Sequence, residues 1–227
     1  MKKRDLVRYL GDLGWREPVA SPIATQAAGG GESLDERGDT LAALAESVEG
    51  CTRCALAEKR NTVVFGEGAN DPELMFIGEA PGSEEDRTGR PFVGQAGKLL
   101  DGMIAALGLA RTDVYIANVV KCRPPGNRNP DEPEMAACAA YLDRQIELLR
   151  PKVIVALGLV AARRLTGTAK PMKALRRNWA AYRGVPVLAT YHPAYLLRNP
   201  RDKRAVWDDL KLVGSKLKAL AGTTPQG

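Results

Sequence analysis

The stretch from His192 to Pro200 reads HPAYLLRNP and contains the one histidine of the 227 residues. An imidazole at the end of a strand-like run can act as acid or base near neutral pH, or donate to charge that develops on a reacting group. A second group of reactive types lies in GEAPGSEEDRTGRPFVGQAGKLLD. Its carboxylates Glu79, Glu84, Glu85 and Asp86 can position water, and Phe92, between Pro91 and Gly94, offers a stacking face for a base. Gly78 and Gly82, around Ala80 and Pro81, permit a tight turn and a close backbone approach to a ligand. Asn118 lies inside the apolar run VYIANVVK, where an amide is costly unless hydrogen-bonded, and its donor and acceptor match the edge of an imide or a base. Each has a plain structural alternative: a packed Phe92, an acidic helix entry, an Asn118 that ties down a loop, a core histidine.

Four cysteines complete the inventory: Cys51 and Cys54 as C-x2-C, then Cys122 and Cys138 sixteen residues apart. Disulfides are not expected in a cytoplasmic chain of this size. The dispersed spacing suits an iron-sulfur cluster as well as zinc, and Cys138 in AACAA can also pack as a small hydrophobe. Spacing alone leaves these three readings open.

Net charge is +6, unevenly spread: the first 50 residues carry 6 basic and 9 acidic groups, so everything after them sums to +9. Between Leu148 and Arg201 stand eleven Lys or Arg and no Asp or Glu. Such a segment predicts a groove for a polyanion, with a solvated basic face as the alternative. The start, MKKRDLVRYLGDLGW, lacks the apolar stretch and small-residue cleavage site of a secretory signal, and no apolar run is long enough to span a bilayer. A soluble, cytoplasmic, monomeric protein is expected.

Positioning these groups requires a scaffold. Residues 1–45 read as an amino-terminal extension and Gly-rich linker, SPIATQAAGGGESLDERGD, and 46–220 as the main domain. Apolar runs ELMFIGEA, DVYIANVVKC, KVIVALG and VPVLATY alternate with helical spacing in GQAGKLLDGMIAALGL, PEMAACAAYLDRQIELL, LVAARRL and PRDKRAVWDDLKLVGSKLKAL. The alternation predicts an α/β fold with a central four-stranded parallel sheet covered on both faces, a three-layer α/β/α arrangement. Ligands bind such sheets at the carboxyl ends of the strands, where GEAPG, NVVKCRPPGNRNP and YHPAYLL all fall. GEAPG is neither G-x-G-x-x-G nor a P-loop, so dinucleotide and nucleotide-phosphate sites are disfavoured.

Together, these three segments and the four cysteines resemble family 4 uracil-DNA glycosylases, the iron-sulfur branch of that superfamily, over roughly residues 48 to 215. The resemblance implies a [4Fe-4S] cluster on Cys51, Cys54, Cys122 and Cys138, and a monofunctional glycosylase that flips uracil from single- or double-stranded DNA and initiates base excision repair. It implies that Glu79 and the backbone of Gly78, Ala80 and Gly82 hold the hydrolytic water and the sugar. Phe92 then stacks on uracil, Asn118 reads its edge, and His192 bonds to O2. Glu85 matches an acidic position without an assigned role. Leu196, with Leu197 as the adjacent candidate, matches the wedge that fills the emptied stack. Arg198, from the basic segment, is expected to bind DNA. Lys121 and Arg123 are expected to face DNA. Where a covalently trapping branch has a histidine in a basic loop, this chain has KCRPPGNRNP, without one. The competing class is a non-catalytic iron-sulfur module that binds uracil-containing or single-stranded DNA. The extension is a candidate docking segment for replication or repair partners.

Overall fold

A computed structural model describes residues 40–222. Its sheet has six strands: β1 (Glu67–Gly68), β2 (Leu74–Gly78), β3 (Tyr115–Asn118), β4 (Val153–Leu157), β5 (Trp179–Tyr182) and β6 (Val185–Thr190), in the order β1-β3-β2-β4-β6-β5. The four inner strands are parallel, as the apolar runs predict, while β1 and β5 add antiparallel edges that the sequence reading missed. Both edges are short or half-exposed, so neither shows the continuous apolar run of a strand buried on two faces.

Alternation within the inner strands sorts their side chains into two cores. Leu74, Phe76, Ile116, Val153, Val155 and Leu188 point to one face, covered by α3 (Gln95–Ala106), α7 (Pro193–Arg198) and α8 (Lys203–Ala221). Met75, Ile77, Ala117, Ile154, Ala156 and Val187 point to the other, covered by α1 (Leu41–Glu49), α4 (Glu132–Leu149), α5 (Leu159–Thr166) and α6 (Met172–Leu175). The three-layer arrangement is the one expected.

Thr40 caps α1 by accepting from the Ala43 N–H, and Val48 of α1 is buried in the second core. Helix α1 begins before the boundary read at 45 from composition, and its Leu41 and Leu44 pack half-buried against the second core. The rest of the proposed extension, with its linker and docking role, lies outside the described residues. No helix among the described residues is long and apolar enough to cross a membrane.

Chain order reverses at β2: its successor β3 lies on one side and β4 on the other. A crevice opens at the carboxyl ends of strands where such a reversal occurs. Gly78 ends β2 there and Glu79 follows it.

Candidate active site

Parallel register aligns Gly78 with Asn118 at the rim, and Leu157 with Thr190 beside them. Two side chains converge over Gly78. A methyl group built on it would stand 2.5 Å from Asn118 Oδ1 and 2.5 Å from Phe92 Cζ, so only glycine allows the amide and the ring so near the backbone. The Phe92 ring lies 5.6 Å from that of His192, tilted by 31°. Asn118, Phe92 and His192, far apart in sequence, therefore form one site.

Asn118 is buried, and its Oδ1 has no hydrogen-bond partner. Buried polar atoms are almost always paired, and an orphan acceptor costs about 1–3 kcal/mol. Glu79 is a second unpaired group: no hydrogen bond or ion pair to its carboxylate is present among the described residues, and burial raises its pKa from the ordinary value.

His192 precedes the first turn of α7 and caps it, Nδ1 accepting from the Ala194 N–H at 3.1 Å. The ring proton of the neutral form therefore sits on Nε2, leaving Nε2–H as a donor. Burial, and the Arg198 guanidinium after it, push the imidazole pKa down to about 4, against the opposing pull of Glu85. The histidine is a neutral donor at physiological pH.

Of the four carboxylates Glu79, Glu84, Glu85 and Asp86, three are structural. Glu84 pairs with Arg87 on the surface. Asp86 is buried and accepts from the backbone of Asn61 and Thr62 and from Asn61 Nδ2. Glu85 acquires the role the sequence left blank: Oε1 accepts from the N–H groups of Val93 and Gly94, each at 2.9 Å, and Oε2 from Gly82 N–H at 3.1 Å. It fastens the Phe92 loop to the start of α2 (Ser83–Thr88), with Gly82 as the cap residue. Ala80 packs half-buried against the second core.

The wedge assignment needs correction. Leu196 is 0% exposed and packs in the first core, whereas Leu197 is 47% exposed. One step along a helix turns a side chain by about 100°, so of two adjacent leucines in α7 only one can face the core. Leu197 is the one whose side chain reaches solvent.

The uracil DNA glycosylase superfamily model matches residues 65–211, which hold Glu79, Glu85, Phe92, Asn118 and His192. The chain belongs to that superfamily. Its relatives include the type-4 uracil-DNA glycosylase of Thermotoga maritima, 45% identical over 188 residues that cover 80% of this chain and 97% of that one. That of Sulfurisphaera tokodaii is 43% identical over 194 residues, 82% of this chain and 86% of its own. That of Archaeoglobus fulgidus is 40% identical over 197 residues, 81% and 92% of the two chains. The family 4 resemblance carried by the motifs is thereby met, and with it the expectation of a glycosylase rather than a non-catalytic module.

On the opposite face of this glycosylase fold, Cys51, Cys54, Cys122 and Cys138 line one small cavity, none of them in a disulfide. Arg60 spans two of the segments that carry them: Nη1 donates to Cys51 O at 2.7 Å and to Cys122 Sγ at 3.3 Å, and Nη2 to Glu49 O. The Lys121 backbone N–H donates to Cys138 Sγ at 3.3 Å. Lys121 does not face DNA. Its side chain is fully buried, its pKa lowered by that burial to about 8, and Nζ donates to Asn118 O at 3.0 Å and to Gln145 Oε1. Gln145 in turn donates to Phe65 O and Tyr115 Oη, so this buried ammonium is held in a paired network. Arg123 bonds Asn127 within the exposed Pro-rich loop.

The acid-free basic segment is acid-free in sequence but not in space. Lys152 pairs with Glu73, Arg164 and Arg183 with Asp143, and Arg176 with Asp209 from α8. Arg176 and Asp209 form a buried knot with Thr190 Oγ1, and the Arg176 guanidinium lies 4.6 Å from the Tyr191 ring centroid, one residue before His192. A charge count could not reveal that these cations are spent on the fold.

Proposed function

We propose that this glycosylase flips uracil out of DNA and hydrolyses its N-glycosidic bond, leaving the abasic site that opens base excision repair. The observation that carries the reading is the buried, unpartnered Oδ1 of Asn118 beside Phe92 and His192. That acceptor calls for an N–H donor. Uracil presents one at N3, with acceptors on either side, whereas cytosine presents a bare nitrogen there and would face Oδ1 lone pair to lone pair.

Phe92 supplies a stacking surface, worth about 1–3 kcal/mol per base. As the C1′–N1 bond breaks, its electron pair passes into uracil and charge grows on O2, where the Nε2–H of His192 donates. A donor aimed at charge that exists only in the transition state accelerates the step rather than merely tightening binding. Glu79 faces the cation-like sugar; water adds its oxygen to C1′ and loses a proton to the Glu79 carboxylate, and solvent protonates the departed uracil anion. A carboxyl whose pKa burial raises is a better proton acceptor than an ordinary glutamate.

Cys51, Cys54, Cys122 and Cys138 would hold a [4Fe-4S] cluster, which when bound supplies a structural cross-link among three chain segments. Four cysteines around one cavity, with a guanidinium and a peptide N–H directed at two of the sulfurs, support thiolate ligation.

The deciding experiment incubates purified protein with uracil- and thymine-containing oligonucleotides and scores abasic sites, alongside assay of iron and acid-labile sulfide. Abasic sites only at uracil are expected. Retained DNA binding without cleavage at uracil would return the chain to the non-catalytic reading.

A further inference from the structure

Phe92 is held in an uncommon way. Its backbone is left-handed, with φ 51°, a conformation that side chains other than glycine seldom adopt and that persists only where the surroundings fix it. Its carbonyl lies so close to α3 that a methyl group on Gly97 would come within 1.8 Å of the oxygen. Glu85 grips the two N–H groups that follow, but something must also hold the carbonyls that precede them.

That role falls to Arg111, in the short 3-10 turn (Arg111–Asp113) that leads into β3. Its Nη1 donates to Phe92 O at 3.3 Å and to Asp101 at 2.9 Å, Nη2 donates to Pro91 O, and Nε donates to Glu67 at 2.6 Å. Only a planar, forked cation can span two consecutive carbonyls and two carboxylates at once; an ammonium could hold the charge but not the geometry. Opposite charges thus grip the loop: a guanidinium on its carbonyls and a carboxylate on its amides.

We propose that Arg111 is a positioning residue for base selection, fixing the Pro91–Phe92 backbone so that the Phe92 ring meets the flipped base at the angle stacking requires. The proposal rests on the reading of Phe92 as the stacking surface. It makes Arg111 act through Phe92 and through nothing else in the site.

A double-mutant cycle on the full chain tests this, with single-turnover excision and inhibition by free uracil as readouts. Phe92→Ala is expected to slow excision by about 5- to 150-fold, the range for loss of one stacked base. Arg111→Met should lose about tenfold and weaken free-uracil inhibition in step, while affinity for uracil-free duplex stays unchanged. The double variant should be no slower than Phe92→Ala alone. Losses that multiply, or that follow thermal unfolding rather than uracil affinity, would mean a merely structural role and overturn the proposal. Should Arg111→Met not fold, Arg111→Lys decides: it keeps the charge against Glu67 and Asp101 but loses the fork, and excision at the wild-type rate would sink the idea. If Phe92→Ala itself excises normally, the stacking reading fails and takes the proposal with it. A slow Phe92→Ala beside a normal Arg111→Met removes the proposal alone.

Discussion

The two faces of the sheet solve different problems with the same scaffold. On the face of α3, α7 and α8, the side chains at the strand ends are held in place but left unpaired: among the described residues Asn118 Oδ1 lacks a donor and Glu79 a cation, and the His192 ring spends Nδ1 on the Ala194 N–H, leaving Nε2–H as a donor. Around them every supporting group is paired, from Glu85 and Arg111 on the Phe92 loop to the Arg176–Asp209–Thr190 knot below Tyr191. On the face of α1 and α4, the cysteines receive hydrogen bonds but make no cross-link of their own. One face presents unpaired groups at the strand ends, and the other gathers four thiols around a cavity. Lys121 bridges them, donating to Asn118 O from a position adjacent to Cys122.

The largest effect that can separate the two faces comes from His192→Ala. Loss of a donor to developing charge costs about 2.7–4 kcal/mol, roughly a hundred- to a thousandfold in rate. Single-turnover excision should fall by that factor while iron content, soluble yield and affinity for uracil-DNA stay near wild type. A reciprocal change, Cys138→Ala, should reduce iron content and stability first, with activity following the folded fraction. If His192→Ala lost iron as readily as activity, the two faces would be one cooperative unit and the comparison would fail.

The adjacent leucines of α7 give the next effect. Leu196→Ala opens a cavity in the first core and should cost about 2–5 kcal/mol of stability, read by denaturant unfolding. Leu197→Ala should leave stability within about 0.5 kcal/mol and slow excision from duplex more than from single strands, because only the duplex has a stack to be refilled. Equal losses on both substrates would remove Leu197 as the wedge. This pair also marks the limit of what the sequence made legible. The inner strands, the principal helices and the grouping of Phe92, Asn118 and His192 follow from apolar periodicity and motif position. The choice between Leu196 and Leu197 depends on the phase of a six-residue helix too short to show periodicity. Arg111 gave no signal at all, because its partners Glu67, Pro91 and Phe92 are remote in sequence and meet it only in the folded chain. The burial of Lys121 was hidden for the same reason: Gln145, whose Oε1 accepts a hydrogen bond from its ammonium, lies on α4.

Asn118→Asp asks whether the orphan acceptor is the selector. A misplaced donor or acceptor against a base edge costs about 1–3 kcal/mol, so uracil excision should fall by about 5- to 150-fold. A protonated carboxyl in that buried position offers a donor to the bare N3 of cytosine, so residual activity should shift toward cytosine-containing oligonucleotides as pH is lowered. Unchanged uracil excision would make Asn118 a structural residue, and the unpaired character of this face would then rest on Glu79 and His192 alone.

The smallest effect is the most direct view of the site's electrostatics. With a single histidine in the chain, one imidazole titrates without overlap in a nuclear magnetic resonance experiment. Its folded pKa, about 4, lies below the ordinary 6.5 because burial and Arg198 both disfavour the cation. As pH falls from 6.5 to 4 the unfolded chain takes up a proton that the folded chain refuses, so the stability due to the neutral ring is complete above 6.5 and is lost through that window. The nitrogen shifts should report the Nε2–H tautomer throughout, and excision between pH 6 and 8 should show no inflection from this residue. Protonation adds a hydrogen to Nδ1, which must then give up the Ala194 N–H, so the start of α7 should loosen at the same pH as the ring titrates. Leu197 rides on that helix, and its effect on duplex excision should fade over the same range. An imidazole that titrates near 6.5 would mean that neither burial nor the cap holds it, and that this site works with a cation rather than with the neutral donor its geometry describes.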